Sequence, residues 1–171
     1  MSVVSEVIPA PPVRMPGASL ALAAVCPLAV GAILAARAEA VSPLAVAPAI
    51  VFGVVAATSP ALYIAIAATG DAPPLARVMR ALVVALAAFG CALAGLVLPA
   101  AFLSLSSTGS LTTVVVCSAA LGTAAIVAMF RLSSELGTRT LTAWFVFVGW
   151  AIATLVIAGR LWWDFAAEVL S

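Results

Sequence analysis

The ionisable and nucleophilic side chains of this chain are few, and their types exclude most familiar catalytic sites. Among 171 residues there are seven Lys+Arg, six Asp+Glu, three Cys and no His, and every basic residue is Arg. A serine or cysteine nucleophile would therefore lack its usual histidine base. The sequence also contains no glycine-rich phosphate loop and no paired-carboxylate motif. We expect a chain that is not an enzyme.

The same residue types limit the cofactors that the chain can hold. Without His, it cannot supply the usual ligand for haem, chlorophyll, or a histidine-based zinc or iron site. Without Lys, it cannot form a Schiff base with retinal. Cys26, Cys91 and Cys117 lie in three different apolar segments, which is not the clustered spacing of a thiolate metal site. We expect no metal and no cofactor, and we expect lipid as the bound small molecule.

The composition predicts an integral membrane protein. Hydrophobic residues make up 66% of the chain and charged residues 8%, with a mean hydropathy of +1.33. Soluble domains are about half apolar and about a quarter charged. Residues 81–130 contain no charged side chain and are broken only by the serine-rich stretch 104–110. A helix crosses a bilayer with about 20 apolar residues, so this region is long enough for a transmembrane hairpin.

The apolar segments predict an all-α bundle of five transmembrane helices. A proline-rich tail, 1–17, precedes a transmembrane domain, 18–171. The predicted spans are 18–36, 44–69, 81–103, 111–130 and 141–158, and a short interfacial segment follows the last. A secretory signal is the alternative for 18–36, but this run is longer than a typical signal core.

Arginine counting predicts the orientation of the bundle. Five spans place five arginines on one side of the membrane and two on the other, and cytoplasmic loops are the ones enriched in Lys and Arg. The larger group is Arg14, Arg77, Arg80, Arg131 and Arg139, and the smaller is Arg37 and Arg160. The amino terminus is therefore expected in the cytoplasm and the carboxyl terminus outside. Short arginine-biased loops and an alanine-rich sequence favour a bacterial inner membrane.

Four residues are expected to anchor helices at the membrane boundary. Arg77 and Arg80 stand three apart at a helix entrance, where they would meet phosphate headgroups. Trp162 and Trp163 follow the fifth span, and tryptophan favours the headgroup region.

Two small-residue pairs are candidates for close helix packing. Gly90 and Ala94 stand four apart in the third span, and Ser118 and Gly122 do so in the fourth. Small residues at this spacing form a flat strip that another helix backbone can approach closely.

The second span contains a candidate pore-lining site. Thr58, Ser59 and Pro60 put two hydroxyl groups beside a proline that interrupts the backbone hydrogen bonds of its helix. A proline-broken helix beside hydroxyl groups can line an ion or substrate path.

These features lead to three functional hypotheses. The first is a non-catalytic subunit that packs against other membrane subunits and stabilises a larger inner-membrane complex, because no ionisable group lies well inside a span. The second is a small homo-oligomeric channel or transporter, lined by hydroxyls and helix backbone. The third is a lipid- or quinone-binding membrane protein. The near-neutral charge gives no reason to expect nucleic acid as a partner.

Overall fold

The described part of the chain forms five α-helices, confirming the predicted all-α architecture. The structure is a computed structural model that describes residues 17–38, 42–69, 73–107, 109–137 and 140–170. No strand occurs in these ranges. The predicted tail, 1–17, lies outside the described residues except for Gly17. The helices are α1, Gly17–Ala38; α2, Ser42–Ala67; α3, Leu75–Ser106; α4, Ser110–Leu136; and α5, Leu141–Leu170.

Four of the described helices are long and apolar enough to cross a membrane, as expected of an integral membrane protein. They are α2, α3, α4 and the stretch Leu141–Glu168 of α5. Helix α1 contains a shorter apolar stretch, Leu20–Ala36. The helices themselves are confirmed, whereas the crossing of α1 and the orientation of the termini stay predictions.

Helices α3 and α5 are longer than the spans predicted within them. Helix α3 begins at Leu75, directly after Pro74, so Arg77 and Arg80 belong to its first two turns. Helix α5 runs to Leu170 without a break at residue 158. The sequence from Arg160 to Leu170 has no Gly or Pro, and the Arg160 guanidinium lies 3.3 Å from the Asp164 carboxylate one turn later. Nothing local therefore interrupts α5 where its charged residues begin.

The end of helix α4 follows from one glycine. Gly137 adopts the left-handed conformation, with φ 60° and ψ 48°, and its N–H donates to the Ser133 carbonyl at 3.2 Å. A residue without Cβ adopts this conformation at little cost, which is why glycine so often closes helices.

The order of the helices in space differs from their order in the chain. Helix α1 packs against both α2 and α3, α4 packs mainly against α3, and α5 packs mainly against α2. The contacts between α4 and α5 are sparse. The bundle is thus a series of neighbours, α4–α3–α1–α2–α5, whose two end helices stand beside each other with little contact.

Two glycines allow α1 to approach its neighbours closely. A Cβ built on Gly90 of α3 would lie 2.4 Å from the backbone nitrogen of Ala23 in α1. A Cβ on Gly31 of α1 would lie 2.6 Å from the carbonyl oxygen of Pro43 in α2. Since lipid tails are as apolar as leucine, such close packing is a main source of attraction between membrane helices.

The buried side chains form two clusters on different stretches of α3. One surrounds Phe89 and Leu93 and joins them to residues of α1 and α4, and to Phe165 of α5. The other surrounds Val78 and Ala81 and joins them to residues of α2, α4 and α5.

Candidate ligand-binding cavity

A cavity of about 260 Å³ lies between helices α2, α3, α4 and α5. Its walls are almost entirely apolar, and α1 contributes no residue to them. Its apolar wall side chains include Ile50, Val54, Leu86, Phe89, Leu121 and Leu155. The cavity exists because α4 and α5 stand on the ends of the helix series and do not close against each other.

Sparse contact between α4 and α5 also leaves one side of the cavity open. Gly122 of α4 and Gly159 of α5 both line the cavity and are exposed. A Cβ added to either glycine would meet no atom within 4 Å. These residues, with the exposed Leu155, form a rim on the outer side of the bundle, where lipid would lie.

The indole of Trp150 crosses from α5 to α2 at the cavity wall. Its Nε1 donates a hydrogen bond of 2.9 Å to the Thr58 carbonyl oxygen. Thr58 lies two residues before Pro60, which has no N–H to donate to the carbonyl four residues before it. Where the proline interrupts the backbone hydrogen bonds of α2, the Trp150 N–H is an additional donor to the backbone, and its bond holds α5 against α2.

A second tryptophan joins α5 to α4. The Trp162 Nε1 donates a hydrogen bond of 2.7 Å to the Ser118 Oγ. The Ser118 hydroxyl in turn donates to the Val114 carbonyl within α4, also at 2.7 Å. Trp162 was predicted to mark the membrane boundary; the structure places its half-buried ring in the cavity wall.

The hydroxyls of the predicted pore-lining residues are bonded to their own helix. Thr58 Oγ1 donates to the Val54 carbonyl at 2.8 Å, and Ser59 Oγ donates to the Val55 carbonyl. Both residues line the cavity, whereas Pro60 is exposed and does not. The cavity beside Thr58 and Ser59 therefore has an apolar surface rather than a series of free hydroxyls.

Thr154 is the polar group of the cavity that sequence reasoning missed. Its side chain on α5 is 5% exposed, it lines the cavity, and its Oγ1 makes no hydrogen bond. The signal was present in the spacing, because Trp150, Thr154, Ala158 and Trp162 recur every four residues and all four line the cavity. Such residues occupy one face of a helix.

The two predicted packing pairs have different surroundings. Gly90 is buried against α1, and Ala94, one turn later, is half-buried. Ser118 and Gly122 instead line the cavity, and no helix backbone fills the space beside Gly122.

The remaining predicted anchors lie on the surface of the protein. Arg77 and Arg80 are exposed on α3, and Trp163 is 65% exposed on α5. Their place at the membrane boundary stays a prediction.

Among the described residues, no three His, Cys, Asp or Glu side chains are grouped so that they could hold a metal ion. The thiols of Cys26, Cys91 and Cys117 are free. Models of protein families, curated protein sequences and solved structures give no match to this chain.

Proposed function

We propose that this chain is a non-catalytic integral membrane protein that binds a neutral, apolar molecule of the bilayer. The observation that carries the proposal is the apolar cavity between α2, α3, α4 and α5. Tightly packed bundles leave few voids of this size, because each void gives up the dispersion contacts of its lining. An occupant would restore those contacts.

The size and surface of the cavity favour an apolar occupant over water. An engineered apolar cavity of about 150 Å³ stays dry and binds benzene, so about 260 Å³ has room for one ring and a short chain. A buried water needs two to four polar partners. Thr154 offers one hydroxyl without a partner, and the indole N–H groups of Trp150 and Trp162 are already donated.

The opening beside α4 and α5 supports entry from the lipid. Gly122 and Gly159 stand at the rim with no atom near the position of a Cβ. A molecule dissolved in the bilayer could enter between these helices, leaving part of its chain among the surrounding lipids.

The geometry favours binding over conduction. A pore needs hydroxyls or carbonyls that replace the water around an ion or polar solute. The wall is almost entirely apolar and has no charged side chain, and the Thr58, Ser59 and Ser118 hydroxyls, which donate to carbonyls of their own helices, have only oxygen lone pairs left for a solute. The channel hypothesis therefore has less support than the binding hypothesis.

Retention of an apolar molecule by the purified chain tests this proposal. The full chain is extracted in mild detergent and examined by native mass spectrometry. We expect the wild-type chain to keep one apolar molecule, and Gly122→Leu to lose it because the new side chain occupies the rim. Gly95→Leu is the matched control, since Gly95 is also exposed, helical and open around its Cβ position but does not line the cavity. Equal retention by both variants, or none by the wild type, would contradict the proposal.

The second candidate function is that of a subunit packing against a larger inner-membrane complex. Gly149 and Ala153 are exposed one turn apart on α5, and a Cβ on Gly149 would meet nothing within 4 Å. Phe145, Ile152 and Val156 flank this strip and are 64%, 57% and 65% exposed. A helix of another subunit could approach α5 closely here.

Gentle extraction tests the subunit hypothesis separately. The subunit hypothesis predicts that the chain is recovered with other polypeptides in fixed ratio. It also predicts that Gly149→Leu reduces the recovery of these polypeptides, whereas Gly95→Leu does not. Recovery of the chain alone would contradict it. This second proposal includes the predicted orientation and location of the chain, with the amino terminus in the cytoplasm of a bacterial cell.

A further inference from the structure

We infer that the Thr154 hydroxyl donates a hydrogen bond to a carbonyl oxygen of the molecule held in the cavity. This inference rests on the proposed binding function and adds to it the chemical class of the ligand. It also assigns one residue as the group that orients that ligand.

The Thr154 hydroxyl differs from the other hydroxyls near the cavity because it has no hydrogen-bond partner. Side-chain hydroxyls in membrane helices ordinarily donate to a carbonyl three or four residues earlier. Thr58, Ser118 and Thr123 do so in this structure, at 2.7 to 2.8 Å. Thr154 Oγ1 has no such bond although the residue is 5% exposed. A buried hydroxyl without a partner is costly, so its position in a cavity wall points to a partner inside the cavity.

The surrounding groups determine what that partner must be. The N–H groups of Trp150 and Trp162 are donated to Thr58 and Ser118. The cavity wall contains no charged side chain, so a charged ligand would be left without a counter-charge. The hydroxyl of Thr154 is free to donate, and a neutral ligand with an acceptor oxygen satisfies it.

The dimensions of the cavity define the rest of the ligand. Phe89, Trp150 and Trp162 provide aromatic surface around a volume of about 260 Å³. This volume suits a single ring or a short piece of chain rather than a whole phospholipid. A longer apolar tail would leave past Gly122 and Gly159. Quinones and acyl esters both combine a neutral carbonyl with such a tail, and the carbonyl is the chemistry that Thr154 would recognise.

Three probes with the same number of carbon atoms separate these features. A decyl-substituted benzoquinone carries a ring and carbonyls, methyl pentadecanoate carries an ester carbonyl, and decylbenzene carries no oxygen. Each is titrated onto the whole chain in mild detergent, and its dissociation constant is measured by native mass spectrometry. The quinone binding more tightly than the ester would identify the quinone as the source of the carbonyl, and the reverse order would identify the ester.

The variants are Thr154→Val and, as a matched control, Thr113→Val. Valine keeps the shape of threonine and removes the hydroxyl. Thr113 on α4 is 1% exposed and its Oγ1 likewise has no partner, but it does not line the cavity. We expect Thr154→Val to weaken the better carbonyl probe about 3- to 10-fold, the range of one neutral hydrogen bond. Decylbenzene should bind both variants and the wild type equally.

The outcomes distinguish this inference from the proposed function. If decylbenzene binds and the carbonyl probes bind Thr154→Val as tightly as wild type, the inference is wrong and the apolar cavity site stands. If Thr113→Val weakens the carbonyl probes as much as Thr154→Val, the inference is also wrong, because the effect is not local to the cavity. If no probe binds the wild-type protein, both the inference and the proposed function are overturned.

Discussion

The indole nitrogen of Trp162 on α5 donates a hydrogen bond of 2.7 Å to the hydroxyl oxygen of Ser118 on α4. Helices α4 and α5 otherwise make sparse contact. This bond therefore fixes the distance between the two helices that border the open side of the cavity.

Removing the bond between Trp162 and Ser118 should loosen α5 from α4. We expect Trp162→Phe and Ser118→Ala each to lower the free energy of unfolding by about 1 kcal/mol. Because the two variants remove the same bond, the double variant should show a coupling energy of about 0.6 kcal/mol, the average for membrane-helix hydrogen bonds. The free energies of unfolding of all three variants are measured in mixed micelles. If the effects of the two single variants simply add in the double variant, the bond contributes nothing.

Adding one methyl group at Gly90 should separate α1 from α3. The new Cβ would lie 2.4 Å from a backbone nitrogen and 2.6 Å from the Cα of Ala23, and backbone cannot move aside as a flexible side chain can. We expect Gly90→Ala to lower the free energy of unfolding by about 1 to 3 kcal/mol, as overpacking does.

Gly95→Ala is the control for that substitution, since Gly95 lies on the same helix with nothing within 4 Å of its Cβ position. This variant should be neutral or slightly more stable, because alanine is the better helix former. Equal thermal unfolding temperatures for the two variants in the same detergent would contradict the close approach of α1 and α3.

The carboxyl-terminal end of α5 should stabilise the protein by packing into its interior. Phe165 is 8% exposed and belongs to the cluster around Phe89. We expect Phe165→Ala to cost about 3 kcal/mol of unfolding free energy. Trp163→Ala removes a side chain that is 65% exposed and should cost much less. If residues 161–170 lay at the membrane interface instead of packing against the bundle, the order of the two effects would be reversed or lost.

Labelling of engineered cysteines tests the path of α4 through the membrane. Ser110 begins α4 and Thr140 follows its end, and both are exposed. The 27 residues of α4 rise about 40 Å, enough to cross a bilayer. With the three native cysteines replaced, we expect a membrane-impermeant maleimide to reach Thr140→Cys from the cytoplasm and Ser110→Cys from outside. Labelling of both from one side would contradict the predicted topology.

The sequence predicted the five described helices because each contains a long apolar run, which is a local feature. It predicted their ends less well; α4, for example, continues past the predicted span to Leu136, where Gly137 stops it. The predicted span 81–103 covers only the uncharged part of α3, which begins six residues earlier at Leu75. Arg77 and Arg80 were expected at the entrance of this helix, and a helix can extend beyond its apolar run where no Gly or Pro stops it.

The cavity could not be predicted because it depends on which helix faces meet. Ser118 and Gly122 have the same small-residue spacing as Gly90 and Ala94, yet an added Cβ would meet the backbone of another helix at Gly90 and no atom at Gly122. Thr154 resembles any hydroxyl in an apolar span until its missing hydrogen bond is seen. These distinctions come from the arrangement of α4 and α5 in space, which a single sequence does not contain.

Quenching of the cavity tryptophans tests the central claim, an apolar molecule held inside the bundle, most directly. Trp144 and Trp163 are exposed and are replaced by phenylalanine, so that only Trp150 and Trp162, which line the cavity, remain fluorescent. The protein in mild detergent is then titrated with 1-bromodecane, whose bromine quenches indoles on contact. We predict quenching that saturates at one molecule per chain and is abolished by Gly122→Leu. Quenching that rises linearly without saturation, and equally in Gly122→Leu, would contradict the account.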